Sequence, residues 1–259
     1  MQLTSITPLI LTYNEERNIE RVLARLEWAP RIVVVDSGST DRTLALLGAN
    51  SRVTVLNRPF DSFAAQCNFG LAQIQTEWVL SLDADYVCGP SLARELEALP
   101  ENPDESGFAA QFEYCIAGRP LRGTLYPSRT VLYRRDGARY DNDGHGHRVN
   151  VAGSVGRLTS PILHDDRKPL SVWLQAQERY AEKELEKLTS SSRAEWSLAD
   201  RLRRRKWITP LVMPFYCLIW KTLILDGWPG WFYTAQRTYF EVLLALKLHD
   251  FDDTSRLSG

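Results

Sequence analysis

No two cysteines of this chain stand at C-x-x-C spacing. Cys67, Cys88, Cys115 and Cys217 are scattered through 259 residues, so neither a zinc site nor a disulfide framework is indicated, and free thiols suit a reducing compartment. Neither sign of charge is in excess: 31 Lys and Arg stand against 32 Asp and Glu, so nothing points to nucleic acid as a partner. The opening residues, MQLTSITPLILTYNEE, lack the basic region and long apolar core of a secretion signal. The first domain is therefore expected to stay in the cytoplasm. Two phosphate-cradling motifs are also missing. No G-x-G-x-x-G follows the first strand-like run, and no G-x-x-x-x-G-K-[ST] occurs anywhere, which excludes the usual dinucleotide and P-loop modes of binding.

What the chain does contain is an alternation of strand-like and helix-like segments over its first 90 residues. Residues 6–13, 31–35, 53–56 and 78–82 are short apolar runs of strand length. Ile19, Val22, Leu23 and Leu26 repeat at helical spacing, with Asn14 placed to cap that helix and Glu15 and Glu16 to occupy its first turn. The SGSTD loop, 37–41, offers caps for a second helix through Leu47, and Asp61 or Ser62 caps a third through about Ile74. Such alternation specifies an open α/β sheet, whose ligands collect beyond the carboxyl ends of the strands.

The fourth run, WVLSLDADY at 78–86, carries the backbone straight to Asp83 and Asp85 at that end. Alternate side chains of an extended segment share a face, so both carboxylates can enter one cleft. Two anions that close repel unless a positive charge sits near them. A hard divalent cation, held by one or two carboxylates plus substrate phosphates, meets that need. Asp36 ends the second run, where an acid can meet a ribose.

LTYNEE at 11–16, VVVDSGSTDRT at 33–43 and LSLDADY at 80–86, in this order and at these distances, resemble the family 2 glycosyltransferases of the GT-A fold. Within the family, the bacterial lipopolysaccharide core β-glucosyltransferases are most similar. The resemblance covers the first 90 residues or so. It implies a Rossmann-like mixed sheet flanked by helices, a nucleoside-diphosphate sugar donor (UDP-sugar first), and a divalent metal, Mn²⁺ or Mg²⁺. It further implies inverting transfer to a cell-envelope glycan or lipid-linked acceptor. Residue by residue, Thr12, Tyr13 and Glu15 would line the base and ribose pocket, Asp36 would accept a hydrogen bond from the base, Asp83 would touch the ribose or a metal-bound water, and Asp85 would ligate the metal. Gln66 and Asn68, on the helix before the fourth strand, are placed to reach the nucleotide. Several GT-A families draw a further metal or diphosphate contact from a histidine beyond the D-x-D strand. His164 in LHDDRK, 163–168, is the candidate here; its imidazole suits Mn²⁺ better than Mg²⁺, with Arg167 and Lys168 offsetting diphosphate charge. Alternatively, Asp165 and Asp166 cap the next helix. Tyr86 stands where relatives often continue D-A-D with an acid.

DNDGHGHRV, 141–149, sets Asp141, Asp143, His145 and His147 around two glycines. Inverting transfer needs a base for the acceptor hydroxyl. Asp143 is the first choice and His145 the alternative; Arg148 stands where relatives tend to have a glutamate after the histidine. Residues 108–116 and 126–134 read as two more strands of the mixed sheet, and Arg119, Arg122 and Arg129 are candidates to meet acceptor phosphates.

The domain organisation expected is a glycosyltransferase domain at 1–168, with a nucleotide-sugar half at about 1–90 and an acceptor half at about 91–168, then a helical extension at 169–259. That extension opens with an amphipathic helix over 172–188. It then carries RLRRRK at 201–206, directly before Trp207 and an apolar stretch, 208–225, interrupted by Pro210, Pro214 and Lys221. Two prolines and a flanking basic and aromatic belt fit helices lying in a membrane interface better than a span, so the enzyme is expected as a peripheral or monotopic protein on the cytoplasmic face. The alternative is a soluble helical hairpin. Two other functions are open to a chain of this kind. A nucleotidyltransferase making sugar nucleotides needs a glycine-rich basic loop where LTYNEE stands, and a non-catalytic membrane adaptor has no use for Asp36, Asp83 and Asp85 together.

Overall fold

A computed structural model describes residues 1–143, 146–192, 194 and 196–257. It divides into two compact units, one of Met1–Pro120 with Thr124–Arg167 and one of Leu121–Gly123 with Lys168–Gly259.

In the first unit, β1 (Ile6–Thr12), α1 (Ile19–Ala24), β2 (Ile32–Asp36), α2 (Thr43–Gly48), β3 (Val53–Asn57), α3 (Phe63–Leu71) and β4 (Trp78–Asp83) follow in turn. The four strands run parallel in the order β4-β1-β2-β3. β1 and β2 are buried nearly throughout, the two-sided burial that parallel strands require and their apolar composition supplies. Alternate residues serve opposite faces: Ile6, Ile10, Val34, Trp78 and Leu80 join one core. Leu9, Val33, Val35 and Val79 join the other with Ala64, Cys67 and Leu71 of α3. Gly70 lets α3 approach the sheet, since a Cβ there would stand 2.8 Å from the Val35 side chain.

The chain continues through β5 (Tyr86–Cys88), α4 (Leu92–Ala98), β6 (Gly107–Ala110), β7 (Phe112–Ile116), β8 (Arg119–Pro120), β9 (Arg129–Arg134), β10 (Arg139–Asp143), β11 (Gly146–Asn150), β12 (Val155–Arg157) and β13 (Ile162–His164). β9 pairs antiparallel with both β4 and β6, and β12 pairs parallel with β6, giving a seven-stranded mixed sheet, β12-β6-β9-β4-β1-β2-β3, flanked by helices. This is the architecture expected of a GT-A fold. One strand expected over 108–116 is in fact two. It breaks at Gln111, with β6 in the large sheet and β7 in a smaller one, β5-β13-β7-β8. That smaller sheet places His164 beside Tyr86 on one side and Tyr114 on the other.

In the second unit, α5 (Leu170–Ser190), α6 (Leu198–Arg203), α7 (Ile208–Phe215), a π turn at Tyr216–Trp220, a 3-10 turn at Leu223–Asp226 and α8 (Trp228–Leu257) follow in order. Ala181 and Leu188 of α5 pack on Phe240, Leu244 and Leu248 of α8. Between them Arg203 donates to Glu184 at 2.9 Å and Glu241 at 2.7 Å, both acids buried. Burial disfavours the Arg203 charge, yet the two carboxylates outweigh it and raise its pKa. Arg203 is thus a core cation, not part of a basic surface as the run RLRRRK suggests. Arg122 belongs to this unit as well. It pairs with Asp226 at 3.1 Å, and an acceptor phosphate would have to share it.

Among the described residues, no helix is long and apolar enough to cross a membrane. The stretch 208–225 is broken into three short pieces, and Trp220 (78 % exposed), Leu211, Phe215, Ile219 and Leu225 on them stand largely in solvent.

Candidate functional site

Three parallel strands deliver Thr12, Asp36 and Asp83 to one end of the sheet. Thr12 is in register with Asp36 on β2, and Leu11 with Asp83 on β4. The carboxyl ends of these strands are where an open sheet offers a ligand both backbone and side chains.

Asp36 is fully buried and heavily engaged. One carboxylate oxygen accepts from the Thr12 hydroxyl at 2.8 Å and the Ser39 hydroxyl at 2.6 Å, the other from the backbone N–H groups of Gly38 at 2.9 Å and Ser39 at 2.8 Å. Four bonds fill a carboxylate, so a nucleobase could be accepted only by exchanging one of them. The observed work of Asp36 is to fold the SGST loop back over the strand ends, with Gly38 at φ +91°.

That loop is stitched to the one after β1. Asn14, at φ +55°, accepts from the Thr40 backbone at 2.8 Å, and its own N–H donates to Ser39 at 2.9 Å. The Glu15 N–H donates to Thr43 at 2.7 Å. Asn14 therefore shapes a loop and does not cap a helix. α1 starts only at Ile19, and Glu15 and Glu16 precede it. Tyr13 projects into solvent from this loop at 57 % exposure, an apolar ring with no packing role that would explain it.

Asn18 is the residue that sequence reasoning missed. Fully buried, it donates to Glu15 at 2.8 Å and to Asp166 at 2.9 Å, and accepts from the backbone N–H of Arg167 at 2.9 Å. It ties the loop after β1 to the segment after β13. Nothing in its sequence context signals this, because its partners come from 148 and 149 residues away. Asp165 takes a bidentate bond from Arg167, 2.7 and 2.9 Å, and an ion pair from Arg21 at 3.5 Å. Neither Asp165 nor Asp166 caps α5, whose first cap position is Pro169 with no side-chain bond. Arg167 is thereby paired, and a diphosphate would have to share it.

Asp85 sits in the turn between β4 and β5, and its Oδ2 lies 3.1 Å from Nε2 of His164. Tyr86, Tyr114 and Tyr126 close around the imidazole with ring centroids 4.8 to 5.3 Å away. Burial works against a charged His164, but Asp85 outweighs it and raises the pKa, with Asp83 and Asp166 adding to the effect. Tyr86, in the place of the relatives' acid, contributes its ring and a hydroxyl bonded to Tyr126.

Among the described residues no group of three or more His, Cys, Asp and Glu is arranged to hold a metal ion. The donor set that exists is the pair Asp85 and His164. Their 3.1 Å separation is close to the roughly 3 Å between adjacent ligand atoms on an octahedral ion with bonds of about 2.1 Å. A carboxylate and an imidazole fit a divalent ion that fills its remaining positions with substrate oxygens and water.

Gln66 and Asn68 are engaged in the scaffold. Gln66 donates to the carbonyls of Arg58 and Pro59 at 3.2 and 2.8 Å, holding the loop before α3. Asn68 clamps Tyr140 of β10, donating to its carbonyl and accepting from its N–H, both at 2.9 Å. Both amides act as backbone partners where the fold has no strand to supply them, so the expected reach to a nucleotide is not what the geometry displays. The clamp does anchor the β10–β11 hairpin on α3. Asp143 closes that hairpin in register with Gly146. His145 lies outside the described residues.

All four cysteines are free and buried. Burial pushes the Cys88 thiol up to about 12 against the opposing charge of Arg25, and such thiols are inert packing groups.

A family model described as "Glycosyl transferase family 2" matches residues 9–157, a stretch that contains the strand ends, the loops and Asp85 described above. The lipopolysaccharide core biosynthesis glycosyltransferase LpsC of Rhizobium meliloti (strain 1021) is 32% identical over 173 residues, covering 61% of this chain and 62% of that protein. An uncharacterized glycosyltransferase of Rickettsia bellii (strain RML369-C) is 28% identical over 143 residues, 53% of this chain and 48% of that one. The chain thus matches between about half and somewhat under two thirds of the length of these curated relatives. Among solved structures, S. aureus TarS 1-349 in complex with UDP-GlcNAc aligns over 92% of this chain and 81% of that chain, with a TM-score of 0.48 and 16% identity.

Proposed function

Because the chain belongs to glycosyl transferase family 2, we propose that it moves a sugar, with inversion, from a nucleoside-diphosphate sugar to a cell-envelope glycan or lipid-linked acceptor. UDP-sugar is the first donor to test, and the 32% identity to a lipopolysaccharide core enzyme supports an envelope acceptor. The observation that carries this reading is the convergence of Thr12, Asp36 and Asp83 at the strand ends with Asp85 and His164 in contact 3.1 Å apart.

In this reading the base and ribose lie against the loop of Thr12, Tyr13 and Glu15, whose shape Asp36 and Asn18 maintain. Asp83 meets the ribose or a water. Asp85 and His164 would hold a divalent ion, Mn²⁺ or Mg²⁺, which would supply positive charge against the diphosphate. The acceptor oxygen forms its bond to the anomeric carbon as the bond to phosphate breaks, and its proton goes to Asp143 or to His145. An aromatic wall of Tyr86, Tyr114 and Tyr126 beside Asp85 and His164 lowers the local dielectric and strengthens electrostatic interactions there.

The second unit attaches the enzyme to the cytoplasmic face of an anionic membrane. Its support is the exposed apolar set Leu211, Phe215, Ile219, Trp220 and Leu225 next to a basic segment, a combination that lies on a bilayer without crossing it. Each basic residue near such a surface contributes on the order of 1 kcal/mol.

A panel of sugar nucleotides with Mn²⁺ or Mg²⁺, read by release of nucleoside diphosphate, tests the catalytic reading. Release with one donor supports it. Pyrophosphate exchange in its place indicates a nucleotidyltransferase, and no turnover with any donor, in the presence of membrane extract as acceptor, favours an adaptor. Vesicle flotation at high salt tests attachment: inserted apolar groups resist salt, whereas charge alone does not.

A further inference from the structure

An open cleft of about 550 Å³ in the second unit is lined by Trp196, Arg201, Arg204 and Arg205. We propose that it is a binding site for a phosphomonoester, the three guanidinium groups gripping the phosphate. Arg201 lies in the last turn of α6, Arg204 is its C-cap and Arg205 follows in the turn, and all three line the same cavity. Three like charges there repel, a repulsion that solvent screens in part and that a bound anion would relieve.

Among the described residues, little does. Arg203 and Lys206, from the same basic run, are used elsewhere: Arg203 by Glu184 and Glu241, Lys206 by Asp252 at 2.9 Å. Arg204 reaches that same Asp252 only at 3.8 Å, and its buried Nη1 has no hydrogen-bond partner among the described residues. Arg201 and Arg205 are exposed and take part in none of the ion pairs among the described residues. The site is nevertheless held in place. Ser197 and Asp200 form a reciprocal capping box at the start of α6, Lys187 pairs with Asp200 at 2.9 Å, and Arg204 lies over the Trp196 ring at 5.6 Å.

Planar guanidinium forks match phosphate oxygens two at a time. A phosphomonoester carries close to two negative charges at neutral pH, which suits three cations of which, among the described residues, only Arg204 reaches a carboxylate better than a carboxylate or a phosphodiester does. The volume is within the range of about 300–1,000 Å³ common to small-molecule sites, so the phosphate can bring an attached glycerol or sugar. Arg205 and Lys206 run straight into exposed Trp207 and then into α7 with exposed Leu211 and Phe215. A phosphomonoester headgroup at the membrane surface is therefore one source. A soluble phosphate ester is the other. The lipid source rests on the membrane attachment proposed above; the phosphate chemistry does not.

The full chain is tested in two arms. In the first, partition onto phosphatidylcholine vesicles containing phosphatidic acid is compared with vesicles containing phosphatidylserine at matched surface charge. In the second, glycerol 3-phosphate is titrated calorimetrically without vesicles. The expected result is at least about tenfold tighter partition onto phosphatidic acid, as the loss of one or two charge-assisted bonds would reverse, or saturable glycerol 3-phosphate binding, or both. R201K/R205K keeps the charge and removes the forks. It should abolish the preference while binding phosphatidylserine vesicles as well as wild type, and R201Q/R205Q should weaken both. Saturable glycerol 3-phosphate binding without vesicle binding assigns the site to a soluble ester and sinks the membrane reading alone. Equal partition onto both lipids with no glycerol 3-phosphate binding overturns the proposal, as does a preference that survives in R201K/R205K.

Discussion

His164 Nε2 lies 3.1 Å from Asp85 Oδ2, although 79 residues separate them in the chain. The contact exists because β13 lies antiparallel to β5, which sets His164 opposite Tyr86, the neighbour of Asp85. A partly buried imidazole against a carboxylate, at the end of the strand that carries Asp83, joins the two candidate metal ligands of this chain in one place.

His164→Ala removes the nitrogen ligand and leaves Asp85. Mn²⁺-dependent UDP affinity should fall by about 10- to 100-fold, the range that weakening a metal site commonly costs, while affinity measured without metal stays close to wild type. Titration calorimetry with and without Mn²⁺ checks this. Equal losses in both conditions would mean that His164 supports the fold and not the ion.

Asn68→Ala tests whether the amide is a clamp or a ligand. Two hydrogen bonds to Tyr140 are lost, each contributing roughly 1 kcal/mol, so stability should fall by about 1–3 kcal/mol and amide exchange in Arg139–Asp143 and Gly146–Asn150 should quicken. UDP affinity should be unchanged. A large loss of UDP affinity with normal exchange would return Asn68 to the nucleotide.

For the base, Asp143→Asn preserves shape but cannot take a proton, and turnover should drop by about 10²-fold or more, the usual contribution of a general base, with donor affinity intact. Wild-type turnover in that variant, together with a large loss in His145→Ala, would assign the proton to His145.

Acid should loosen the start of α6. Burial disfavours the Asp200 carboxylate, but its bonds to Lys187 and Ser197 outweigh burial and lower its pKa. A lowered folded-state pKa gives stability that is present above the unfolded value of about 3.9 and lost as pH falls through the folded one. The stability gap between wild type and Asp200→Asn, from urea denaturation, should therefore be open at pH 7 and close below about pH 4. A gap that widens on acidification would contradict the assigned pairing.

Much of the first unit could be read from local chemistry. The strands β1, β2, β3 and β4 announce themselves as apolar runs, and Ser62 caps α3 as its residue type suggests, accepting from Ala65 at 3.2 Å. The failures share one cause, a partner remote in sequence. Asn14 looks like a cap, but a loop 26 residues on claims its side chain. Asn68 looks like one polar residue on an exposed helix face, but β10 lacks a neighbour there. Arg203 looks like surface charge until α5 and α8 each bring a glutamate. Residues 108–116 alternate as one strand would, and only the sheet pairing at Gln111 divides them. Asp83 and Asp85 are legible as strand-end carboxylates because their spacing and the apolar run before them are local; the contact of Asp85 with His164 depends on the smaller sheet, whose pairing the sequence does not show.

The most direct measurement is UDP-sugar binding and nucleoside diphosphate release by Asp85→Ala across a Mn²⁺ titration. If Asp85 holds the ion that receives the diphosphate, the folded variant loses Mn²⁺-dependent donor affinity and turnover by at least about 10-fold, and excess Mn²⁺ recovers part of both. Wild-type affinity and turnover across the whole titration would contradict the assignment of Asp85 and, with it, the site built around the pair.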